Sequence, residues 1–380
     1  MTGTSGDTGP QRPEQTRRKD SMARTPKAAA EKKTAKAMKK PAPKKAADKM
    51  AEKAAALAPH APRRQAIVVL AMHRTGSSAL TRVLNLLGCD LPKTLMGGDA
   101  SNETGHWEST VIRALNDDIL ASGGSDWQDW RAFNPRWYDT PRPAEFAARA
   151  ADILDEEYGP ASILVFKDPR ICRIFPFWRK VFKTQGVGLQ VILTLRHPVE
   201  VAASLGKRNA LAEVHGLLLW LRHMIDAEHA SRGVRRAVVA YETMLAQPVE
   251  TARKLEAQLG LAWPRLSDSV SEEIDRFMTP GLRHHRVAPQ EGFAEAQMLR
   301  PWLAEVYGIF HRWAETGEDR ADWPALDAIR SSMDALARPM TEIVAALVQL
   351  SQGVAGKDKE LGYLRGEAGK RGDRVAALTA

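Results

Sequence analysis

The chain has 380 residues, with 55 Lys+Arg against 46 Asp+Glu, 44% hydrophobic residues and 2 cysteines. That length and apolar content suit one large domain with appendages or two average ones. Cys89 and Cys172 cannot make a disulfide framework, and no Cys/His cluster has zinc-ligand spacing. Residues 1–64 hold 17 Lys+Arg and 6 Asp+Glu, a net of +11, so the remainder carries −2. The basic character therefore belongs to the tail, and a uniformly basic nucleic-acid binder is excluded.

In chain order, residues 1–64 are rich in Ala, Lys, Pro, Thr and Gly and nearly devoid of aromatic residues. Such a segment cannot bury enough surface to offset its ordering entropy, so it is expected to be a disordered tail. Nucleic acid is not an expected partner except through this tail. No apolar h-region follows the early basic residues, and no stretch approaches the ~18 apolar residues of a membrane span, so the chain reads as cytoplasmic.

The folded part opens at Ala66-Ile-Val-Val-Leu-Ala-Met72, a continuous apolar run suited to a strand buried on both faces. His73-Arg-Thr-Gly-Ser-Ser78 follows, then an amphipathic helix over 79–87 that Gly88 stops. Next comes Asn102-Glu-Thr-Gly-His-Trp-Glu108, a loop expected to run into a helix over 108–121. Trp127, Trp130 and Trp137 crowd 125–138 without a clear period, and are read as anchoring a loop on the core rather than stacking on a ligand. Further strands are predicted at 162–166, ending in Lys167-Asp-Pro-Arg170, at 189–195, ending in Arg196-His-Pro198, and at 237–240, ending in Tyr241-Glu242. Helical patterns lie near 143–157, 212–230, 249–259 and 294–315, with a helix begun by Pro198. Short apolar strands alternating with helices predict an α/β fold: a P-loop-like parallel sheet flanked by helices, with functional loops at the carboxyl ends of the strands. The expected organisation is a tail over 1–64, an α/β domain over 65–320 and a helical extension over 321–380. In that extension Ile343, Leu347, Leu350, Val354, Leu361 and Leu364 form a heptad-like stripe, interrupted by Gly353, Gly356, Gly362 and Gly366, so 341–380 reads as a marginal helix or a partner-dependent coiled coil.

A strand running into a Gly-containing turn and a helix N-terminus is suited to an anion, because unpaired N–H groups and the helix dipole point at it. Aligned on Gly76, the nucleoside-triphosphate loop Gly-x-x-x-x-Gly-Lys-Ser/Thr finds Ala71 for its first Gly and Ser77 for its Lys, and only Ser78 matches. The cation is Arg74 instead, and the shorter loop suits a single 5′-phosphate. Arg196 closes a strand and Ser204 follows eight residues later, a little over two helical turns. A guanidinium fork and a hydroxyl so placed can grip one phosphate together. The run from Ile163 to Asp168 has the look of a Walker B strand, which favours a P-loop kinase or NTPase. Asp168 can also be read as a structural partner of Arg170.

Taken together, these motifs resemble the sulfotransferases that use 3′-phosphoadenosine 5′-phosphosulfate (PAPS) as donor. The resemblance rests on Arg74-Thr-Gly-Ser-Ser78 and, about 120 residues later, Arg196…Ser204. It extends to Gly105-His-Trp-Glu108 and Lys167-Asp-Pro-Arg170, is closest to the bacterial type, and covers roughly 66–315. It implies PAPS binding by Arg74, Thr75, Gly76, Ser77, Ser78 and Ala79 around the 5′-phosphosulfate. Arg196, Ser204 and Arg208 would then hold the 3′-phosphate. It implies Lys167 near the transferring group, Glu108 as the general base with His106 as second candidate, and no metal. Arg283 and Arg286, in a late basic loop, become further donor contacts. The expected activity is transfer of a sulfuryl group to a hydroxyl of a carbohydrate or glycolipid. A P-loop kinase or NTPase, or a non-catalytic scaffold, are the alternatives.

Overall fold

The structure, a computed structural model, describes residues 64–98, 105–279 and 298–379. The predicted tail up to residue 63 and the basic loop with Arg283 and Arg286 lie outside the described residues. The predicted strands appear as β1 (Arg64–Leu70), β2 (Ile163–Lys167), β3 (Val187–Leu195) and β4 (Arg235–Ala240). Among the described residues they form one sheet in the order β2-β1-β3-β4, with every neighbour parallel. The connection from β2 to β3 passes over β1, so the strand order reverses between β1 and β3. Ligands of open α/β sheets bind outside the carboxyl ends at such a reversal.

Alternation along β1 explains why both faces need cover. Ala66, Val68, Leu70 and Met72 enter one core cluster, whereas Ile67, Val69 and Ala71 enter the other. The second cluster is closed by α1 (Ser77–Leu86) and, after β4, by α7 (Tyr241–Ala246), α8 (Pro248–Leu259) and α9 (Asp268–Phe277). The larger cluster lies under α2 (Thr110–Ser122), α3 (Arg142–Tyr158), α4 (Ile171–Thr184), α5 (Pro198–Asn209), α6 (Glu213–Ser231) and α10 (Arg300–Thr316). Cys89 and Cys172 are free and buried. Trp130 and Trp137 are buried in the larger cluster and Trp127 packs at its margin, as the anchoring reading expected.

The helix α4 was not anticipated. Pro176 sits inside it, and a proline clashes with the carbonyl four residues earlier and removes a hydrogen bond. The helix survives by kinking, with Ile174 at φ −127° and ψ 22°, and its apolar face buries Phe175, Trp178 and Phe182 against the sheet.

The last helix, α11 (Trp323–Thr379), docks by Leu326, Ile329 and Met333, which are buried. Asp334 adds a 2.6 Å bridge to the guanidinium of Arg222. Beyond that point Ile343, Leu347, Leu350, Val354, Leu361 and Leu364 are exposed. The expected interruption by glycines is not found: the helix runs unbroken through Gly353, Gly356, Gly362 and Gly366. Each glycine weakens a helix by about 1 kcal/mol without forbidding it. No described helix is long and apolar enough to cross a membrane.

A Cβ added at any of those four glycines meets nothing within 4 Å. Replacing all four with Ala should therefore strengthen this helix by about 0.8–1 kcal/mol per site. Thermal melting followed by far-UV circular dichroism should show the helical signal persisting to higher temperature. An unchanged melt would mean that this stretch is not helical in solution.

Candidate active site

The loop that leaves β1 is shaped by two left-handed residues, Arg74 at φ 70° and Gly76 at φ 86°. For Arg74 that conformation costs roughly 1–2 kcal/mol. Gly76 is required twice over, since a Cβ there would lie 2.1 Å from the Tyr241 ring. Thr75 pins the loop from beneath: its hydroxyl donates to the Met72 carbonyl at 2.8 Å and lies 2.6 Å from the Thr194 hydroxyl on β3. Gly76 caps α1 without a side-chain hydrogen bond. The first-turn N–H groups of Ser77, Ser78 and Ala79 have no intrahelical acceptor, which leaves them directed at the space above the loop.

The two motifs predicted to bind the donor meet. Arg74 Nε donates to Ser204 Oγ at 2.8 Å across 130 residues of sequence. Arg196, at the end of β3, donates Nη1 to the Arg74 carbonyl at 3.1 Å and Nε to Glu200 at 2.8 Å. Its guanidinium lies over the Tyr241 ring, 5.1 Å from the centroid. Arg196 and Ser204 are both buried, 6% and 7% exposed, and Glu200 is wholly so. Arg208, near the end of α5, is half-buried and bonds Asn209 at 2.6 Å.

A second group forms around Lys167, the last residue of β2. Its ammonium donates to Glu108 Oε1 at 2.6 Å, to the His106 carbonyl at 2.8 Å and to Ser78 Oγ at 3.3 Å. Ser78 itself donates to the His106 carbonyl at 3.1 Å. Lys167 thus ties the donor loop to Glu108, and both members of the ion pair are buried. His106 enters by its main chain. The predicted helix over 108–121 begins at Thr110, with Ser109 accepting from Ile112 N as its cap. Asp168 is occupied structurally, accepting from Asn116 at 2.8 Å and from Arg170 Nη1 at 3.1 Å.

Sequence reasoning passed over His73, His223, Glu200 and Asn116. Only Glu200 had a local signal, four residues after Arg196 on one helix face. His73 precedes Arg74, and its ring meets Trp127 edge-on at 4.8 Å and His223 at 6.5 Å. Burial holds the His73 imidazole well below its ordinary pKa, and the charges of Arg208, Arg170, His223 and Lys167 push it the same way. Among the described residues no group of three or more His, Cys, Asp or Glu is placed to hold a metal ion.

With this geometry in view, the sequence matches the model of a family described as the sulfotransferase family over residues 66–265. The chain belongs to the sulfotransferase family. The resemblance read from the Arg74 and Arg196 motifs, to PAPS-dependent sulfotransferases, therefore holds at family level. The matched span contains every residue of the candidate site named in this subsection. No curated protein sequence matches the chain. Among solved structures, sulfotransferase STF1 from Mycobacterium tuberculosis is similar at 16% identity and a TM-score of 0.36, over 69% of this chain and 80% of that one. The sulfotransferase domain of the Synechococcus olefin synthase is similar at 15% and 0.37, over 66% and 97% respectively. Mouse sulfotransferase SULT7A1, complexed with PAP, is similar at 13% and 0.31, over 73% and 88%.

A pH dependence follows from His223, which is fully buried. Its Nδ1 donates to the Leu219 carbonyl at 2.8 Å, and its Nε2 finds no partner among the described residues. Burial, with Arg173 adding to it, lowers its pKa to about 3. The unfolded chain binds that proton from about pH 6.5 downward while the folded one does not, so stability is lost as pH falls through this window. Denaturant unfolding at about pH 7 and pH 5 should show an acid loss that His223→Asn reduces by about 2 kcal/mol. An identical loss in the variant would mean that His223 is not held neutral.

Proposed function

We propose that this sulfotransferase moves a sulfuryl group from PAPS to a hydroxyl of a carbohydrate or glycolipid. The observation that carries the reading is the joining of half-buried Arg74 with buried Arg196 and Ser204 into one cluster beside the N-terminus of α1. The fit to the donor is chemical. Unbonded first-turn N–H groups and Arg74 suit the 5′-phosphosulfate, while Arg196, Ser204 and Arg208 suit a 3′-phosphate. Thr75 contributes through its main chain, since its hydroxyl is spent on Met72 and Thr194. No residue takes the place of the lysine that an NTPase loop sends to its β- and γ-phosphates: Ser77 stands there.

Sulfuryl transfer, like phosphoryl transfer, is a loose in-line displacement in which positioning and charge stabilisation do most of the catalysis. The acceptor oxygen forms its bond to sulfur as the sulfur–oxygen bond to the 5′-phosphate breaks, and negative charge grows on that phosphate. Glu108 takes the acceptor proton. Its pairing with Lys167 then couples the two halves of the reaction. Once Glu108 is protonated, the ammonium loses its counter-charge, and its field turns to the loop side, where Ser78 already lies 3.3 Å away. The charge appears where the leaving group needs it. His106 is the second candidate base. The divisions at 64 and 320 are part of the same proposal: a transferase domain over 65–320, with the tail and helical extension as appendages.

Calorimetry with adenosine 3′,5′-bisphosphate against ATP tests the donor. The bisphosphate should bind without Mg²⁺, and Arg196→Ala should weaken it by roughly 10- to 100-fold. Because that change removes a buried ion-pair partner of Glu200, Ser204→Ala is the milder companion, expected to cost about tenfold. Mg²⁺-dependent ATP binding in place of the bisphosphate would establish the kinase reading. Binding of neither would favour the scaffold.

Turnover tests the base. Glu108→Gln should bind the bisphosphate as the wild type does and lose about 10²- to 10⁴-fold in kcat. Retained turnover would move the role to His106.

A further inference from the structure

Large apolar side chains left in water are concentrated on the last helix. Thirteen are exposed among the described residues, and six of them, Ile343, Leu347, Leu350, Val354, Leu361 and Leu364, form a single row along α11. They recur at alternating steps of four and three residues, with Lys357 filling the one polar step between Val354 and Leu361. That repeat averages 3.5 residues, the period of a seam between two helices. From Ile343 to Leu364 the helix advances about 32 Å.

The row is not spent on the body of the protein. Ser351 donates to the Ala210 carbonyl at 2.6 Å, whereas its neighbour Leu350 is 69% exposed. An apolar stripe turned to its own core would be buried. The glycines also respect the row. In a heptad abcdefg, Leu347, Val354 and Leu361 take position a, and Ile343, Leu350, Lys357 and Leu364 take position d. Gly353, Gly356, Gly362 and Gly366 then fall at g, c, b and f, so none interrupts the seam. Their propensity cost leaves the helix weak by itself, and burial of the seam offsets that cost.

Charge along the flanks points to the occupant. Glu360 stands at g and Arg365 at e, five residues further on. In a parallel, in-register pair, g of one helix faces the following e of the other, so Glu360 meets Arg365 of a second copy, twice by symmetry. Asp358, also at e, lies beside Lys357 of the other helix. Among the described residues, none of Lys357, Asp358, Glu360 and Arg365 has an ion-pair partner in the single chain. The parallel register also sets each apolar layer against itself and Lys357 against Lys357. An antiparallel pair puts d opposite a, which would bury the ammonium against an apolar side chain.

We propose that α11 binds a second copy of this chain, forming a parallel two-stranded coiled coil over about 343–364. The same surface serves both copies, so the assembly closes at two. The lysine layer selects two strands over more. In a pair, each Lys357 stem lies along the seam while its ammonium reaches the edge and Asp358 of the other helix; a larger bundle encloses it. This inference is independent of the donor reading, since no residue of the seam belongs to the candidate active site.

Sedimentation equilibrium of the full chain at micromolar concentration tests it, and the expected mass is twice 41.9 kDa. Leu350→Lys/Leu361→Lys should weaken self-association at least about tenfold. Both side chains are exposed in the single chain, so the unfolding transition of the α/β body should be unchanged. Lys357→Leu should act the other way and tighten the dimer. Glu360→Arg should weaken it, and adding Arg365→Glu should restore it. Leu364→Cys reads the orientation: a parallel pair in register brings the two thiols together, and oxidised glutathione should join the copies by a disulfide. The native Cys89 and Cys172 are buried and serve as the unlinked control. A monomer at every concentration, a trimer or tetramer, or a dimer indifferent to Leu350 and Leu361 would each overturn the proposal. So would failure of Leu364→Cys to cross-link. A monomer that floats with vesicles of phosphatidylcholine and phosphatidylserine would assign the row to a membrane surface instead.

Discussion

The parallel pairing of β1 with β3 brings the carboxyl ends of two strands together that lie about 120 residues apart in sequence. From β1 comes the loop of Arg74 to Ser78, and from β3 come Thr194 and Arg196. The contact between Thr75 and Thr194 and the bond from Arg196 to the Arg74 carbonyl lock one end to the other. Register matters here because a slip of one residue would turn Arg196 to the opposite face and leave the loop unsupported. Everything proposed for the donor depends on this juncture. β2 adds Lys167 from the other side of β1, which is why the ammonium reaches Ser78 and Glu108 together.

Buried charge is arranged with the same economy of partners. An unpaired charge in the interior is strongly destabilising, so such groups are found paired or hydrogen-bonded. Arg173 and Arg222 share Asp226 and spend their remaining donors on main-chain carbonyls of the 126–131 loop. Arg222 also reaches Asp334 of α11. One network therefore orders a loop, anchors the terminal helix and shapes the cavity between them. The Lys167–Glu108 pair is of another kind, because protonation of its carboxylate changes what its partner does. A buried pair of this sort contributes little net stability, and in the proposed mechanism its use is in poising charge beside the reaction.

Much of the fold was legible because its signals are local. Continuous apolar runs marked the four strands to within two residues, and Pro198 and Gly88 marked helix ends where the structure has them. The helix α4 escaped because Pro176 argues against a helix locally, while burial of Phe175, Trp178 and Phe182 overrides it. The glycines of α11 misled in the opposite sense, since a propensity cost weakens a helix and does not by itself end one. At the site, the eight-residue step from Arg196 to Ser204 could be read directly. His73 and His223 could not, because nothing in their spacing says that two imidazoles 150 residues apart will face one another.

By itself, the sequence determined the alternation of buried strands and helices and the placing of polar motifs at strand ends. It also set the substitution of Arg74 and Ser77 for the residues of a triphosphate loop, and through these features the family. Such properties reside in periodicity and short spacings, which the backbone geometry of one element converts directly into structure. The tertiary structure alone decided that Arg74 bonds Ser204, that Lys167 bridges Ser78 and Glu108, and that α11 closes a polar cavity over the 126–131 loop. Those contacts join segments from about 60 to more than 200 residues apart, and their strength comes from exclusion of water, which exists only once the chain has packed.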